Sequence, residues 1–465
     1  MSSVNHMIKL NSDIIPPGAD GYIVGGSIRD ILLGRSPTDY DVAVPGNPAK
    51  FAALVAAKTG GHLVKIGKAG LQILRVVSPQ HVVDVAPMHG PTIESDLNQR
   101  DFTIDALAYH LSSGELIDPL NGRTDLSLKQ VRMVSSNIFR KDPIRLLRAF
   151  RIAALLGFSI EAHTAAAVRD GAALIQQSAG ERIRAELFTL FEVPQSYPYL
   201  IQMADAGLLF AIFPEMTALR GCRQNGHHTH DVFDHTLQAY HHLEGLIREF
   251  RMPQSASEIH ADAFMAAGAV GMLKCAVLLH DIGKPPARTV AADGSVHFYG
   301  HAEKSADMAD SIGSRLKFSR RQKQFLDSII RNHLRPLSLF TARQNNSLTP
   351  RGLARFYVKC GGNTPFLLLH ALADIQAKKN DSTNADFKVF VRDLLQRYFV
   401  DFKPIQANPP LITGADLIKK FNLTPSPRFK KILAAVEEAR LSQQLTTREE
   451  ALMLVNDILT GKKLH

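Results

Sequence analysis

The sequence predicts an α+β protein, with a strand-bearing N-terminal unit of about 140 residues followed by a long, mostly helical remainder. Three observations predict it. Short β-branched runs bounded by turn residues fill the stretch from Tyr22 to Pro87. Apolar residues recur at helical spacing after Asp142. Almost no strand signal returns beyond that point. At 465 residues the chain has room for about three cores at roughly 150 residues each. Its 45% hydrophobic and 21% charged residues are those of an ordinary globular protein, so disorder is not the default.

The strands are expected in YIVGG, DYDVAV, HLVKIG, LQILRVV and HVVDVAP. IRLLRAFRIAALL and ERIRAELFTLF then read as amphipathic helices. A junction is expected in the histidine-rich segment 221–231, GCRQNGHHTHD, and another within 378–410, which holds KKNDSTNAD and the proline-bearing KPIQANPPL. With no run near 20 apolar residues and no basic-then-apolar N-terminus, the expected location is cytoplasmic, without membrane contact. Cys222, Cys275 and Cys360 form no CxxC pair, so a metal would rest on His and carboxylate. A net charge of +10 favours a polyanionic partner such as nucleic acid.

The segment from Gly21 to Val44 carries the most chemistry. Strand YIV runs into Gly25-Gly26-Ser27 and then the helical IRDILLG, a junction whose backbone can approach a phosphate closely or can be a plain turn. Asp39 and Asp41 stand at i and i+2 of a strand and so share a face. Two such carboxylates repel unless a cation lies between them, and oxygen ligands suit Mg2+; the bland reading is a solvated strand edge. Asp84 in VVDVA offers a third carboxylate, and together the three describe a two-metal nucleotidyl-transfer site.

GGSIRDILLGRSPTDYDVAV resembles the signature of class II nucleotidyltransferases, the bacterial CCA-adding enzymes and their poly(A) polymerase relatives. The resemblance continues through RDFTIDALAY, DPIRLLRAFRIAALLGF and ERIRAELF, in the family's order. It implies a palm domain with a small mixed sheet over 1–140, a helical neck over 141–220, an HD domain over 221–385 and a helical RNA-binding tail over 386–465. It further implies that Gly26 and Arg29 hold the triphosphate and that Asp39 and Asp41 bind Mg2+. Arg100 and Asp101 would contact ribose and phosphates. Asp142 and Arg145 would read the base as a template does, with Arg148 and Arg151 on phosphates. Glu181, Arg182 and Glu186 would support that helix.

Three departures stand out. Lys141 replaces the glutamate that opens the template motif in CCA-adding members. The motif RRDFTINA reads Gln99-Arg100-Asp101-Phe102-Thr103-Ile104-Asp105. The link from Asp84 to Arg100 is also short, as in members that add only CC.

A second constellation lies downstream. His235, the adjacent His280-Asp281 and Asp374 sit on apolar runs. Each histidine alone reads as structural, but the ordered set resembles an HD phosphohydrolase site for one divalent metal: nickel, manganese or magnesium. His301 and His333 match positions used for a second metal or a substrate phosphate. In the tail, Lys419, Lys420, Arg428, Lys430 and Lys431 suit an RNA backbone or, equally, a solvated face.

The expected function is template-independent addition of CMP and AMP from CTP and ATP to the tRNA 3′ end, as CCA or only CC, with an attached HD hydrolase. The rivals are a poly(A) polymerase acting on other RNA 3′ ends, and an HD nucleotide or cyclic-phosphate hydrolase whose N-terminal half binds RNA.

Overall fold

The computed structural model describes residues 14, 16, 20–37, 39–67, 73–224, 230–249, 268–378, 382–442 and 444–460. All five expected N-terminal strands form. They are β1 (Tyr22–Val24), β2 (Asp39–Val44), β3 (His62–Ile66), β4 (Ile73–Val77) and β5 (Val82–Pro87). Helix α1 (Gly26–Leu32) follows β1, and α2 (Pro48–Thr59) is capped by the Asn47 side chain. A short α3 (Ile93–Leu97) leads towards β6 (Ala108–His110) and β7 (Leu116–Ile117).

The sheet order is β3-β4-β5-β2-β1-β6-β7, with β2 and β5 parallel and the other pairs antiparallel. This is the small mixed sheet the sequence implied. In β2, Tyr40 and Val42 are buried while Asp39 and Asp41 are exposed, so the pleat alone puts both carboxylates on one face.

The chain forms two compact units, one reaching to Leu190 with Gln202–Ile212, the other Phe191–Ile201 with Phe213 onward. Four domains were expected from motif order. Within the first unit, the neck joins the palm through strand pairing: β8 (Gln130–Val131) runs parallel to β9 (Ser159–Ile160). That pairing brackets α4 (Arg145–Leu156), whose Leu146, Leu147, Phe150 and Ile152 are buried, and leads into α5 (Ala162–Gly171).

The second unit is almost entirely helical. Its HD part contains α6 (Val232–Glu249), α7 (Ala269–Leu279), α8 (His301–Arg315), α9 (Arg320–Asn332) and α10 (Thr364–Gln376). Part of the expected 378–410 connector is instead helical, as Ser382–Arg397 and Lys403–Ala407. Buried Val391, Phe390 and Leu394 give this stretch a core face, which turn-forming residues around it obscure in the sequence. Residues 225–229, including His227 and His228 of the other expected junction, lie outside the described residues, as do 379–381. The tail has its own core of Ile412, Leu417, Ile432, Val436, Ala451 and Val455. Among the described residues no helix is long and apolar enough to cross a membrane.

Candidate active site and metal centre

A cavity of about 510 Å³ opens over the β1–α1 turn, lined by Gly25, Gly26, Arg29, Asp39, Asp41 and Arg100 among others. Gly25 has φ +68° and ψ −139°, a backbone open to glycine and strained for other residues. A Cβ there would stand 2.8 Å from Arg100 Nη1. The turn therefore allows the arginine to lie against bare backbone.

Ser27, buried just after the glycines, links that turn to the carboxylate strand. Its hydroxyl donates to the Asp39 carbonyl at 3.1 Å and accepts from the Asp41 amide at 3.0 Å. The hydroxyl thus fixes the backbone at both carboxylate positions, a role the sequence reading missed. The Asp41 carboxyl is raised from its ordinary range: desolvation by the protein around it dominates, Arg100 opposes it, and Asp84, Asp105 and Asp39 add to the rise. Crowded carboxylates of this kind fit a divalent cation, whose charge would relieve their repulsion.

Asp84 lies in register with Asp41 on the neighbouring strand. Arg75, opposite it on β4, holds both its oxygens at 2.7 Å, and Asp84 does not line the cavity. The same-face expectation and this capture coexist, because register brings Arg75 onto the same face.

The remaining candidates surround the cavity as arginine–carboxylate pairs. Arg100 donates to Asp96, Arg148 pairs with Asp101 at 2.7 Å, and Arg151 pairs with Glu186. Arg29 donates to Asp30 and Asp105. Asp142 accepts two bonds from Arg182, at 2.9 and 2.8 Å, while Arg145 donates to the carbonyls of Gln99 and Arg100. Arg182 and Glu186 come from the helix Gly180–Glu192, the segment read as support for the neck. Asp142 and Arg145 line an adjoining cavity of about 260 Å³ that shares Arg100, Asp101 and Arg148 with the first.

The HD cluster is built from helix ends. His235 lies on α6, His280 caps α7 with Asp281 beside it, His301 starts α8, His333 caps α9, and Asp374 lies on α10. His280, His301 and His333 each set Nδ1 2.7–2.8 Å from the carbonyl three residues earlier. A carbonyl only accepts, so Nδ1 carries a proton and Nε2 faces the site, with a lone pair at His301 and His333. The ligand atoms of His235, His280 and Asp281 lie within 4.8 Å of one another, as do those of Asp281, His301 and His333.

This arrangement fits a divalent metal. His301 Nε2 and His333 Nε2 face each other at 3.2 Å, two acceptors in need of a cation. Neither oxygen of buried Asp281 receives a well-angled hydrogen bond. Burial lowers His333 to about 3, keeping it in the neutral, ligating form. Burial also lowers His235 and His301, while Asp281 and Asp374 overcome burial at His280 and raise it to about 9. Two lysines unforeseen in the sequence join the site: Lys284 Nζ lies 2.6 Å from Asp281 and Lys378 Nζ 2.8 Å from Asp374. Both line a cavity of about 350 Å³ over the cluster.

With this geometry in hand, known proteins supply the family. The model of the poly A polymerase head domain matches residues 21–132, and that of the RNA and SrmB-binding site of polymerase A matches 157–219. The HD domain matches 232–355, and tRNA nucleotidyltransferase domain 2 matches 306–455. The A-adding tRNA nucleotidyltransferase of Deinococcus radiodurans is 33% identical over 446 residues, 94% of each chain. The CC-adding tRNA nucleotidyltransferase of Synechocystis is 28% identical over 464 residues, 98% of each. The Thermotoga maritima CCA-adding enzyme complexed with tRNA shares the fold, with a TM-score of 0.60 and 22% identity over 95% of this chain and 91% of that one. The protein is a nucleotidyltransferase that belongs to the class II family of CCA-adding tRNA nucleotidyltransferases and bacterial poly(A) polymerases, in a branch that carries an HD domain.

Proposed function

We propose that this enzyme transfers CMP and AMP from CTP and ATP to the 3′ end of tRNA. The observation that carries the reading is the pair of adjoining cavities, one holding Asp39, Asp41 and the glycine turn, the other Asp142 and Arg145. A nucleotide laid across both would have its phosphates by Gly25, Gly26 and Arg29 and its base by the neck helix. In the transfer, the RNA 3′ oxygen forms a bond to the α-phosphorus and the bond to pyrophosphate breaks.

Asp39 and Asp41 would hold Mg2+, which supplies activation of the 3′ hydroxyl and stabilisation of the leaving pyrophosphate. The protein's own contribution is placement. Ser27 keeps the two carboxylates in register with the turn, and Arg29 and Arg100 meet phosphate charge. Asp142 accepts from an exocyclic amine and Arg145 donates to a ring acceptor, which selects C and A over U and G. Arg182 and the carbonyls of Gln99 and Arg100 hold these two readers still.

A second reading, addition of CC alone, is favoured by the short link after β5. Thr92 caps α3, and Asp96 ties the His89 amide to the Arg100 side chain, so the link is braced. Extension of tRNA lacking its CCA, read nucleotide by nucleotide with Mg2+, tests both. Growth by CCA supports full activity, a stop after CC supports the second reading, and long A tails or no extension overturn both. Asp39→Ala should abolish extension.

The HD cluster supports a separate phosphohydrolase. His235, His280, Asp281 and Asp374 would hold its metal, which supplies an activated water for attack on a phosphoester, with His301 and His333 at a second metal or the phosphate. Lys284 and Lys378 offer cationic charge to that phosphate. Metal-dependent release of phosphate that is lost in Asp281→Ala supports this activity.

A further inference from the structure

Arg29 enters the triphosphate cavity from α1 with two of its three nitrogens already engaged. Nε donates to Asp30 at 2.9 Å and Nη1 donates to Asp105 at 2.7 Å. The third, Nη2, takes part in neither bond and lies 3.3 Å from where a Cβ on Gly26 would stand. The guanidinium is thus clamped by two carboxylates and turns its remaining edge over the glycine turn. Asp105 is the deeper of the two anchors, with a side chain 9% exposed against 28% for Asp30.

Asp105 also carries a charge that Arg29 meets directly, while Arg148 and Arg151 act on it only from a distance. Arg148 has Asp101, Arg151 has Glu186 and Arg100 has Asp96. The negative charge of Asp105 therefore falls mainly on Arg29, which meets the Gly25–Gly26 turn beside Arg100. A clamp of this kind does two things. It spares the nucleotide the entropic cost of ordering a long side chain, and it offsets part of the attraction between that side chain and the phosphates.

We propose that Asp105 is a positioning residue that sets how tightly the enzyme holds triphosphate and pyrophosphate: it aims Arg29 Nη2 at the phosphates while compensating its charge, so that pyrophosphate leaves. The proposal rests on the nucleotidyl-transfer reading above. One carboxylate charge a few ångströms behind a phosphate-binding guanidinium alters phosphate affinity by about three- to tenfold at the dielectric of an open cavity.

The test uses the full-length enzyme. Asp105→Asn keeps the size and an acceptor for Nη1 but removes the charge. The KM for CTP should fall, and inhibition by pyrophosphate should strengthen, each by about three- to tenfold, with no rise in kcat. Asp105→Leu removes the acceptor as well, and the KM should rise because Arg29 is no longer held. In an Arg29→Met background Asp105→Asn should change both quantities by less than in the wild type, because only the direct effect of the charge on phosphate remains, a result that a purely structural role would not give.

An unchanged or raised KM with unchanged pyrophosphate inhibition in Asp105→Asn overturns the proposal, as does the same effect in the Arg29→Met background. Should Asp105→Asn fail to fold, Arg29→Lys probes the same pair. Lysine lacks the second nitrogen that faces the turn while the first bonds Asp105, so the KM should rise and pyrophosphate inhibition weaken; wild-type values overturn the idea. A wild-type enzyme that transfers no nucleotide refutes the underlying reading together with this one. Transfer by the wild type with a wild-type-like Asp105→Asn refutes the tuning role alone.

Discussion

Ser27 shows how a single hydroxyl can decide the geometry of a site. It bonds the backbone at Asp39 and Asp41, once as donor and once as acceptor. Ser27→Ala should slow single-turnover CTP incorporation about tenfold with little change in nucleotide KM, because placement of the carboxylates is lost while the phosphate contacts stay. Gly25→Ala should cost about a hundredfold or more, since its Cβ would displace Arg100 and its φ of +68° would be strained. Rapid-quench measurement of a single CMP addition checks both. At this scale the alternation of Asp39 and Asp41 was legible in the sequence. The hold of Arg75 on Asp84 was not, because it depends on the register between β4 and β5.

Elements in this chain are fixed by buried polar groups as much as by apolar stripes. Lys274 lies within the apolar run of α7 and is almost wholly buried. Its ammonium donates to the Val193 carbonyl, Ser196 and Glu244 at 2.6, 3.1 and 2.7 Å. Burial lowers its pKa, and Glu244 acts against that. Lys274→Met leaves Glu244 buried without its cation and should destabilise the second unit by about 3–5 kcal/mol, seen as a fall in its urea midpoint. Lys274→Met with Glu244→Gln should recover part of the loss.

Glu161 caps α5 by accepting from the amides of His163 and Thr164. Burial opposes its ionisation, but these bonds and Arg132 prevail and lower its pKa below the ordinary 4.5. The stability it gives is therefore present above about pH 4.5 and is lost as pH falls through the lowered value. Glu161→Ala should cost about 1 kcal/mol at neutral pH and progressively less in acid, as read from urea unfolding across pH. The spacing of Arg145, Arg148 and Arg151 placed them along one helix side. Their separate partners come from the palm and from Gly180–Glu192, which spacing does not specify.

For the whole molecule, the two candidate sites fall in two compact units, with Asp39 and Asp41 in one and the HD cluster in the other. Asp281→Ala should leave CTP incorporation within about twofold of the wild type, and Asp39→Ala should leave metal-dependent phosphate release intact. Loss of both activities in either folded variant would refute two separate sites. Chelation by EDTA should remove both activities, since oxygen and nitrogen donor sets at both places depend on a cation.

The sequence by itself determined the order of strands and helices, the shared face of Asp39 and Asp41, and six residues of the histidine cluster, though not His370, which packs against His280 and His333. Each of these is a local property, set by periodicity, by turn residues or by motif order along the chain. Only the tertiary structure decided which charges meet: Arg29 with Asp105, Arg75 with Asp84, Lys378 with Asp374, Lys274 with Glu244. It also decided that neck and palm fold together, through the pairing of β8 with β9. Arg29 and Asp105, like Lys274 and Glu244, lie far apart along the chain, and even the pairs a single strand or turn apart depend on register and side-chain direction. Coulombic and hydrogen-bond energies follow distance in space, a quantity that exists only once the chain has packed.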